Sequence, residues 1–195
     1  MHNQDAHRQR IINWVNQAGG LAGAFDVTTK GVLHAVLERR EYWRLADADN
    51  KPPGVLGWWP SRAVTFVENH DTGSTQGHWR FPGGREMQGY AYILTHPGTP
   101  TLFWDHAVSE QLREPIARLV ALRQRAGVHC RSALRILKAT KDVYAAQIDD
   151  SLLLRLGPGH WEPPHHHDKK GGHGGAAWKR AEHGHDWCVY ERVSH

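Results

Sequence analysis

The chain has 195 residues and a formal net charge of +4 at pH 7; 39% of its residues are hydrophobic and 23% are charged. This is enough for one large domain or two small ones with a real core, and it is too hydrophobic for wholesale disorder. The mean hydropathy of −0.62 and the lack of an apolar run near twenty residues exclude a transmembrane helix.

The first elements in the chain are a helix, a short strand and a second helix. The first helix is predicted over residues 5–18, where apolar residues recur at helical spacing and Gly19-Gly20 ends the pattern. A short apolar stretch, Ala24-Phe25, comes next. Either Thr28 or Thr29 can cap the helix that follows it.

This alternation of helices and short strands continues to about residue 127. The predicted elements are a loop (47–60), a buried strand (63–67), a loop with glycine and proline (72–85), a helix (87–94), a turn (97–100), a strand (101–104) and a helix (115–127). Each strand is apolar and is followed at once by polar residues, which is typical of a parallel sheet covered by helices. In such folds the chemistry lies at the carboxyl ends of the strands. The polar residues at these ends are Asp26, Asn69, His70, Asp71 and Asp105.

The pattern changes after Gly127, where short strand-like segments follow one another. They are residues 134–137, 143–148, 151–156, 177–178 and 187–190, with a tight turn at Asp149-Asp150. We therefore predict two domains, an α/β domain over residues 1–127 and a small antiparallel β-sheet domain over residues 128–195. A loop rich in histidine and glycine, at about residues 157–175, interrupts the second domain.

Glu68-Asn69-His70-Asp71 is the best candidate for chemistry, because carboxylate, imidazole and amide groups converge at the end of a buried strand. A desolvated carboxylate beside an imidazole suits acid–base catalysis or the stabilisation of a developing cation. A helix cap or a loop hydrogen-bond network is the alternative interpretation.

A pair of tryptophans, Trp58 and Trp59, lies in the predicted loop 47–60. Two adjacent indoles in a loop can form an exposed platform on which sugar rings stack. In the alternative, one indole is buried and the other partly covers it.

The sequence predicts no metal site. The histidines near residues 160–173, with Asp168, suggest metal binding, but they lack the spaced ligand pairs of a folded zinc site, and a solvated loop is favoured. Cys130 and Cys188 can pair or stay free, and the sequence does not decide between these states.

Several long blocks of this sequence resemble plant and green-algal α-amylases. The blocks are residues 3–9, 24–31, 57–60, 63–76 and 87–100. The resemblance as a whole covers nearly the whole chain and weakens only after about residue 157. The resemblance implies a retaining glycosidase that performs endo-hydrolysis of α-1,4-glucosidic bonds in starch. It also implies a (β/α)8 TIM barrel, of which this chain holds the last three β/α units, followed by the antiparallel domain.

The resemblance assigns roles to residues already singled out. Asp71 matches the catalytic carboxylate that stabilises the transition state, and His70 and Asn69 match its substrate-binding neighbours. Trp58 and Trp59 match the indole pair of a surface site for starch granules. At a second surface site of the family, His160 stands in place of the sugar-binding tyrosine, and the adjacent Trp161 is the alternative aromatic residue.

The resemblance also implies what this chain lacks. A retaining glycosidase needs a nucleophile and an acid/base carboxylate about 5 Å apart, and the family carries both on barrel strands four and five, before residue 3. The family's calcium ligands also lie there, so calcium is expected for the full-length family but without ligands in this chain. Since a complete barrel takes about 250 residues, we expect a truncated chain that is inactive alone.

Three functional hypotheses follow. The first is the carboxyl-terminal part of an α-amylase, whose expected partners are starch and the amino-terminal part of the barrel, in a secreted or plastid protein. The second is a non-catalytic starch-binding module that uses Trp58 and Trp59. The third, a nucleic-acid binder, is the weakest, because it rests only on a pI of about 9.2 and the lysines and arginines form no long basic block. No nucleic-acid or membrane partner is expected.

Overall fold

A computed structural model describes residues 4–164 and 178–193 of the chain. The helices are α1 (Gln4–Gln17), α2 (Val27–Arg39), α3 (Gly54–Trp58), α4 (Glu86–Thr95), α5 (Trp104–Val108) and α6 (Arg113–Arg125). The strands are β1 (Ala24–Phe25), β2 (Ala63–Thr65), β3 (Thr99–Pro100), β4 (Leu134–Ala139), β5 (Tyr144–Ile148), β6 (Leu152–Leu156), β7 (Trp178–Gly184) and β8 (Trp187–Arg192).

The first three strands form a small parallel sheet in the order β1-β2-β3. Ala24 pairs with Ala63 at the start of β2, and Val64 pairs with Thr99 on the other side. Helices separate the strands in the chain, as a parallel connection requires. Because all three strands run in the same direction, the loops that follow them open on one edge of the sheet.

The remaining strands form an antiparallel sheet in the order β4-β5-β6-β8-β7. The predicted hairpin between β5 and β6 is present, and Asp149 has a φ of 46° in its turn. Aspartate tolerates this left-handed conformation better than most residues. β5 and β6 lie inside the sheet and are almost entirely buried, which agrees with their predominantly apolar sequences.

One hydrophobic core joins the helices to the antiparallel sheet. The core residues include Leu33 and Leu56 from the helices and Leu154 and Val189 from the sheet, and all four are at most 1% exposed. Polar contacts cross the same boundary; Arg85 pairs with Asp186 at 2.9 Å and Arg118 pairs with Glu182 at 3.0 Å.

Three local predictions were wrong. The predicted loop 47–60 contains helix α3, which ends at Trp58. The strand predicted over residues 101–104 lies instead at Thr99–Pro100, inside the predicted turn, because these residues pair with β2. The cap of α2 is Asp26, whose carboxylate accepts a hydrogen bond from the Thr29 amide at 2.9 Å, so neither predicted threonine fills that position.

The structure also decides points that the sequence left open. Cys130 and Cys188 are free thiols, and Cys188 is buried. Within residues 4–164 and 178–193, no helix has the length and hydrophobicity needed to cross a membrane. The predicted histidine cluster at His165–His167, with Asp168 and His173, lies outside the described residues.

Candidate functional site

The candidate site is the loop that follows β2. Phe66 and Val67 continue the strand into the core and are at most 2% exposed. The polar residues begin at Glu68, where the chain leaves the parallel sheet at the edge formed by the carboxyl ends of its strands. Parallel α/β sheets carry their functional groups at this edge.

Asn69 shapes the turn that carries His70 and Asp71. Its side-chain oxygen accepts hydrogen bonds from the amides of Asp71 and Thr72, both at 3.0 Å. The Gly73 amide closes the same turn by donating to the Asn69 carbonyl at 2.9 Å. Asparagine favours such turns because its amide reaches its own backbone two residues on. This side chain therefore has a structural partner, in addition to the substrate-binding role predicted for it.

His70 and Asp71 lie at the tip of this turn and face solvent. Their side chains are 82% and 64% exposed, and His70 Nε2 lies 3.4 Å from Asp71 Oδ1. The turn thus presents an imidazole and a carboxylate together on an accessible surface. Such a pair can hydrogen-bond to sugar hydroxyls and can stabilise positive charge developing beside it.

Glu68 is the buried carboxylate of the predicted motif, and its imidazole partner is not His70. Glu68 is 8% exposed, and its Oε2 lies 3.3 Å from Nε2 of His106. Its Oε1 accepts a hydrogen bond from the Phe81 amide at 2.5 Å. Burial raises the pKa of Glu68, but the hydrogen bonds from His106 and Phe81 and the charges of His106 and Lys30 outweigh it, so that the pKa lies below its usual range.

His106 was not among the residues predicted for this site. His106 belongs to no recognisable sequence motif, although it is part of the polar Asp105-His106 pair that follows the third strand. That position is the signal that points to it, because the carboxyl ends of neighbouring parallel strands meet at one edge. Asp105 itself is exposed on α5.

Asp26, at the end of β1, has a structural role. It is fully buried and accepts hydrogen bonds from the Thr29 hydroxyl at 2.6 Å and the Leu56 amide at 2.8 Å. It therefore joins α2 to α3. Burial raises the pKa of Asp26, while these hydrogen bonds oppose the rise.

Lys30 and Trp79 form a second feature that the sequence analysis missed. Lys30 is fully buried, whereas Trp79 is 37% exposed. The Lys30 ammonium donates to the Trp79 carbonyl at 2.9 Å and lies 4.0 Å from the centre of its ring. Burial lowers the pKa of Lys30 to about 8, and the Glu68 charge opposes this shift. The contact holds the part of the loop around Trp79 against α2.

The tryptophan pair has one exposed and one half-buried member. Trp58 is 38% exposed, and the guanidinium carbon of Arg8 lies 3.5 Å from the centre of its ring. Trp59 packs against the core, and a Cβ added to Gly20 would lie 3.4 Å from its ring. Since Gly20 precedes β1, the pair lies toward the amino ends of the strands, whereas Asp71 lies beyond the carboxyl end of β2.

The residues that the structure describes do not fit a calcium site. Within the described part of the chain, no group of three or more histidine, cysteine, aspartate or glutamate residues is arranged to hold a metal ion. Calcium takes six to eight oxygen ligands, which is more than such a group would need to supply.

Comparison with known proteins relates the chain to one family. A family model described as the alpha-amylase C-terminal beta-sheet domain matches residues 125–191. The chain is 60% identical over 190 residues to "Alpha-amylase 3, chloroplastic" of Arabidopsis thaliana, and the aligned residues cover 97% of this chain and 20% of that protein. It is 49% identical over 155 residues to "Alpha-amylase type B isozyme" of Hordeum vulgare, which covers 77% of this chain and 94% of that protein.

The solved structures agree at the level of the fold. An Anoxybacillus α-amylase has a TM-score of 0.50 and 13% identity, with 67% of this chain and 38% of that chain covered. The chain spans only a fifth of the length of the Arabidopsis relative (20%). The identity of 49% across nearly all of the Hordeum protein nevertheless confirms the resemblance found in the sequence, and this chain belongs to the α-amylase family.

Proposed function

We propose that this chain is the carboxyl-terminal part of a retaining α-amylase that performs endo-hydrolysis of α-1,4-glucosidic bonds in starch and related glucans. The observation that carries the proposal is the exposed His70–Asp71 pair, with 3.4 Å between Nε2 and Oδ1, at the carboxyl end of β2. The pair is accessible to a large polymeric substrate, and it lies at the edge where α/β enzymes keep their catalytic groups.

Asp71 is the transition-state stabiliser in this proposal. Cleavage of a glycosidic bond passes through an oxocarbenium-like transition state, whose positive charge a nearby carboxylate stabilises. His70 and Asn69 bind substrate beside it, and Asn69 also sets the turn. Retaining hydrolysis needs two further carboxylates, a nucleophile and an acid/base, and both would lie on barrel strands outside this sequence.

The parallel sheet supports the barrel part of the proposal. Among the described strands, β1 and β3 each pair only with β2, so both outer edges lack a neighbour. Apolar side chains near these edges are solvent-exposed, with Phe25 51% and Trp104 74% exposed. We propose that the sheet is the last three units of a (β/α)8 barrel and that the rest of the barrel is its partner.

A chimera tests this proposal. The chain replaces its matching segment of the Arabidopsis relative, and the release of reducing sugar from soluble starch is measured. We expect hydrolysis that falls by roughly 100-fold or more in Asp71→Asn. Asp105→Asn, which alters an exposed aspartate after β3, is the matched control and should keep the rate. An Asp71→Asn chimera with the wild-type rate would refute the assignment. The 195-residue chain alone should show only background release.

Starch binding is a second function that the structure favours. Trp58 is partly exposed and Trp59 is adjacent to it, so the pair offers apolar ring surface for stacking on sugars. The chain should sediment with starch granules, and Trp58→Ala with Trp59→Ala should abolish sedimentation. Trp14→Ala removes an indole that is 54% exposed on α1 and is the matched control. Undiminished sedimentation of the double variant would exclude this site.

The compartment is proposed from the comparison alone. One relative is named as chloroplastic, which favours the plastid over the secreted alternative for the full-length protein. Localisation of the tagged full-length protein by microscopy would decide between them.

A further inference from the structure

The buried carboxylate of Glu68 connects three separate segments around the loop that carries Asp71. It receives the Phe81 amide at the far end of this loop and His106 of the neighbouring helix α5. It also lies against Gly73, where an added Cβ would be 2.6 Å from Glu68 Oε2. Both ends of the loop are therefore held by one side chain.

One set of hydrogen-bond directions satisfies all the partners of a neutral His106. The Phe103 amide donates to the Tyr90 hydroxyl oxygen at 3.4 Å. That hydroxyl can then give its own proton to His106 Nδ1, which lies 2.9 Å away. A neutral His106 consequently carries its proton on Nε2 and donates it to Glu68. Glu68 thus accepts through both of its oxygens, as a carboxylate can and a glutamine amide cannot.

Partners on other elements keep Glu68 in this position. A buried carboxylate is costly unless it is paired and hydrogen-bonded, and Glu68 meets this requirement with His106 and with the charge of Lys30. Lys30 in turn donates to the Trp79 carbonyl, and the Trp79 amide donates to the Thr72 carbonyl at 3.1 Å. This chain of contacts therefore extends from Glu68 to Thr72, the residue that follows Asp71.

We propose that Glu68 is a positioning residue, which orders the loop 69–81 and so holds His70 and Asp71 toward the substrate. This inference rests on the proposed function of Asp71. Glu68 is buried away from the exposed pair, so it acts through the loop and does not touch the substrate.

Glu68→Gln tests the role of the second carboxylate oxygen. Glutamine has one acceptor oxygen, so it can keep either the Phe81 amide or His106 in its present tautomer, but not both. We expect His106 to move its proton from Nε2 to Nδ1, detected by 15N chemical shifts in the full chain, or the Phe81 amide to exchange at least tenfold faster. Glu110→Gln, an exposed change beyond α5, is the matched control. No change in either signal would overturn the proposal.

Gly73→Ala perturbs the same contact from the loop side. The added methyl group would lie 2.6 Å from Glu68 Oε2, which is too close to be tolerated. Faster exchange of the Phe81 amide is therefore expected here also. This variant leaves the charge and the acceptors of Glu68 intact, so it provides a second readout if Glu68→Gln does not fold.

A kinetic measurement in the chimera separates positioning from general stability. Glu68→Gln should lower kcat at least tenfold and leave KM within about twofold, because Asp71, which the loop positions, stabilises the transition state more than the bound substrate. A kcat within twofold of the wild type would overturn the proposal. If the wild-type chimera does not hydrolyse starch, the proposed function fails, and the tautomer and exchange signals alone decide whether Glu68 orders the loop.

Discussion

Lowering the pH from 7 to 5 should reduce the free energy of unfolding by about 2 kcal/mol through one residue, His96. His96 is fully buried. Its Nε2 lies 2.8 Å from the Tyr144 hydroxyl and its Nδ1 lies 3.2 Å from the Thr95 hydroxyl. Its ring also stacks on Tyr92, with 3.9 Å between ring centres. These partners are all neutral, so nothing in contact with the ring compensates a positive charge.

Burial lowers the pKa of His96 from 6.5 to about 3; a hydrogen bond with the Tyr92 backbone opposes this shift, and the Arg123 charge reinforces it. The unfolded chain therefore binds a proton below pH 6.5, while the folded protein does not until about pH 3. Stability is lost as the pH falls through this window, because the unfolded state binds more protons. At pH 5 the difference amounts to RT ln(1 + 10^1.5), or about 2 kcal/mol.

Urea unfolding at pH 7 and pH 5, followed by tryptophan fluorescence, measures this loss. His96→Gln removes the titrating group and keeps an amide near the Tyr144 hydroxyl. Its loss of stability between the two pH values should be smaller than that of the wild type by about 2 kcal/mol. His78→Gln, an exposed histidine, is the matched control and should lose as much as the wild type. Equal losses in the wild type and His96→Gln would refute the reasoning.

Three further substitutions should lower the urea midpoint at pH 7. Asp26→Ala leaves the buried amides of Thr29 and Leu56 unpaired, which should lower the free energy of unfolding by about 3 kcal/mol. An unchanged midpoint would show that the cap is dispensable. Gly89→Ala places a Cβ 2.9 Å from the Phe81 ring, at about 1–3 kcal/mol; a neutral result would mean that the ring can move. Arg123→Met removes hydrogen bonds to carbonyls at the end of α4, at about 2 kcal/mol; a wild-type midpoint would show that water replaces them.

Most helices and strands could be predicted from the sequence, because the spacing of apolar residues within one segment indicates its secondary structure. The stretch Leu152–Leu156 is apolar at four of its five positions, and it forms the buried strand β6. The helix expected near Ile116 and Leu119 is α6, whose buried face contains both residues. Such patterns arise because one face of an element must be apolar wherever it packs on a core.

The errors arose where a partner distant in the sequence decides the local structure. Thr99–Pro100 reads as a turn, but its pairing with Val64 and Thr65 makes it a strand. Asp26 caps α2 through a local hydrogen bond from the Thr29 amide, but its second contact, with the Leu56 amide, is one that no local pattern contains.

The candidate site shows the same division. The sequence by itself determined the family and pointed to the polar turn after β2, because these residues form long ordered motifs and follow a buried strand. Only the tertiary structure decided that Glu68 is buried with His106 while His70 and Asp71 are exposed. The four consecutive residues 68–71 are all polar, so the sequence does not tell which of them is buried. Their environments differ because burial depends on which distant segments pack against each side chain.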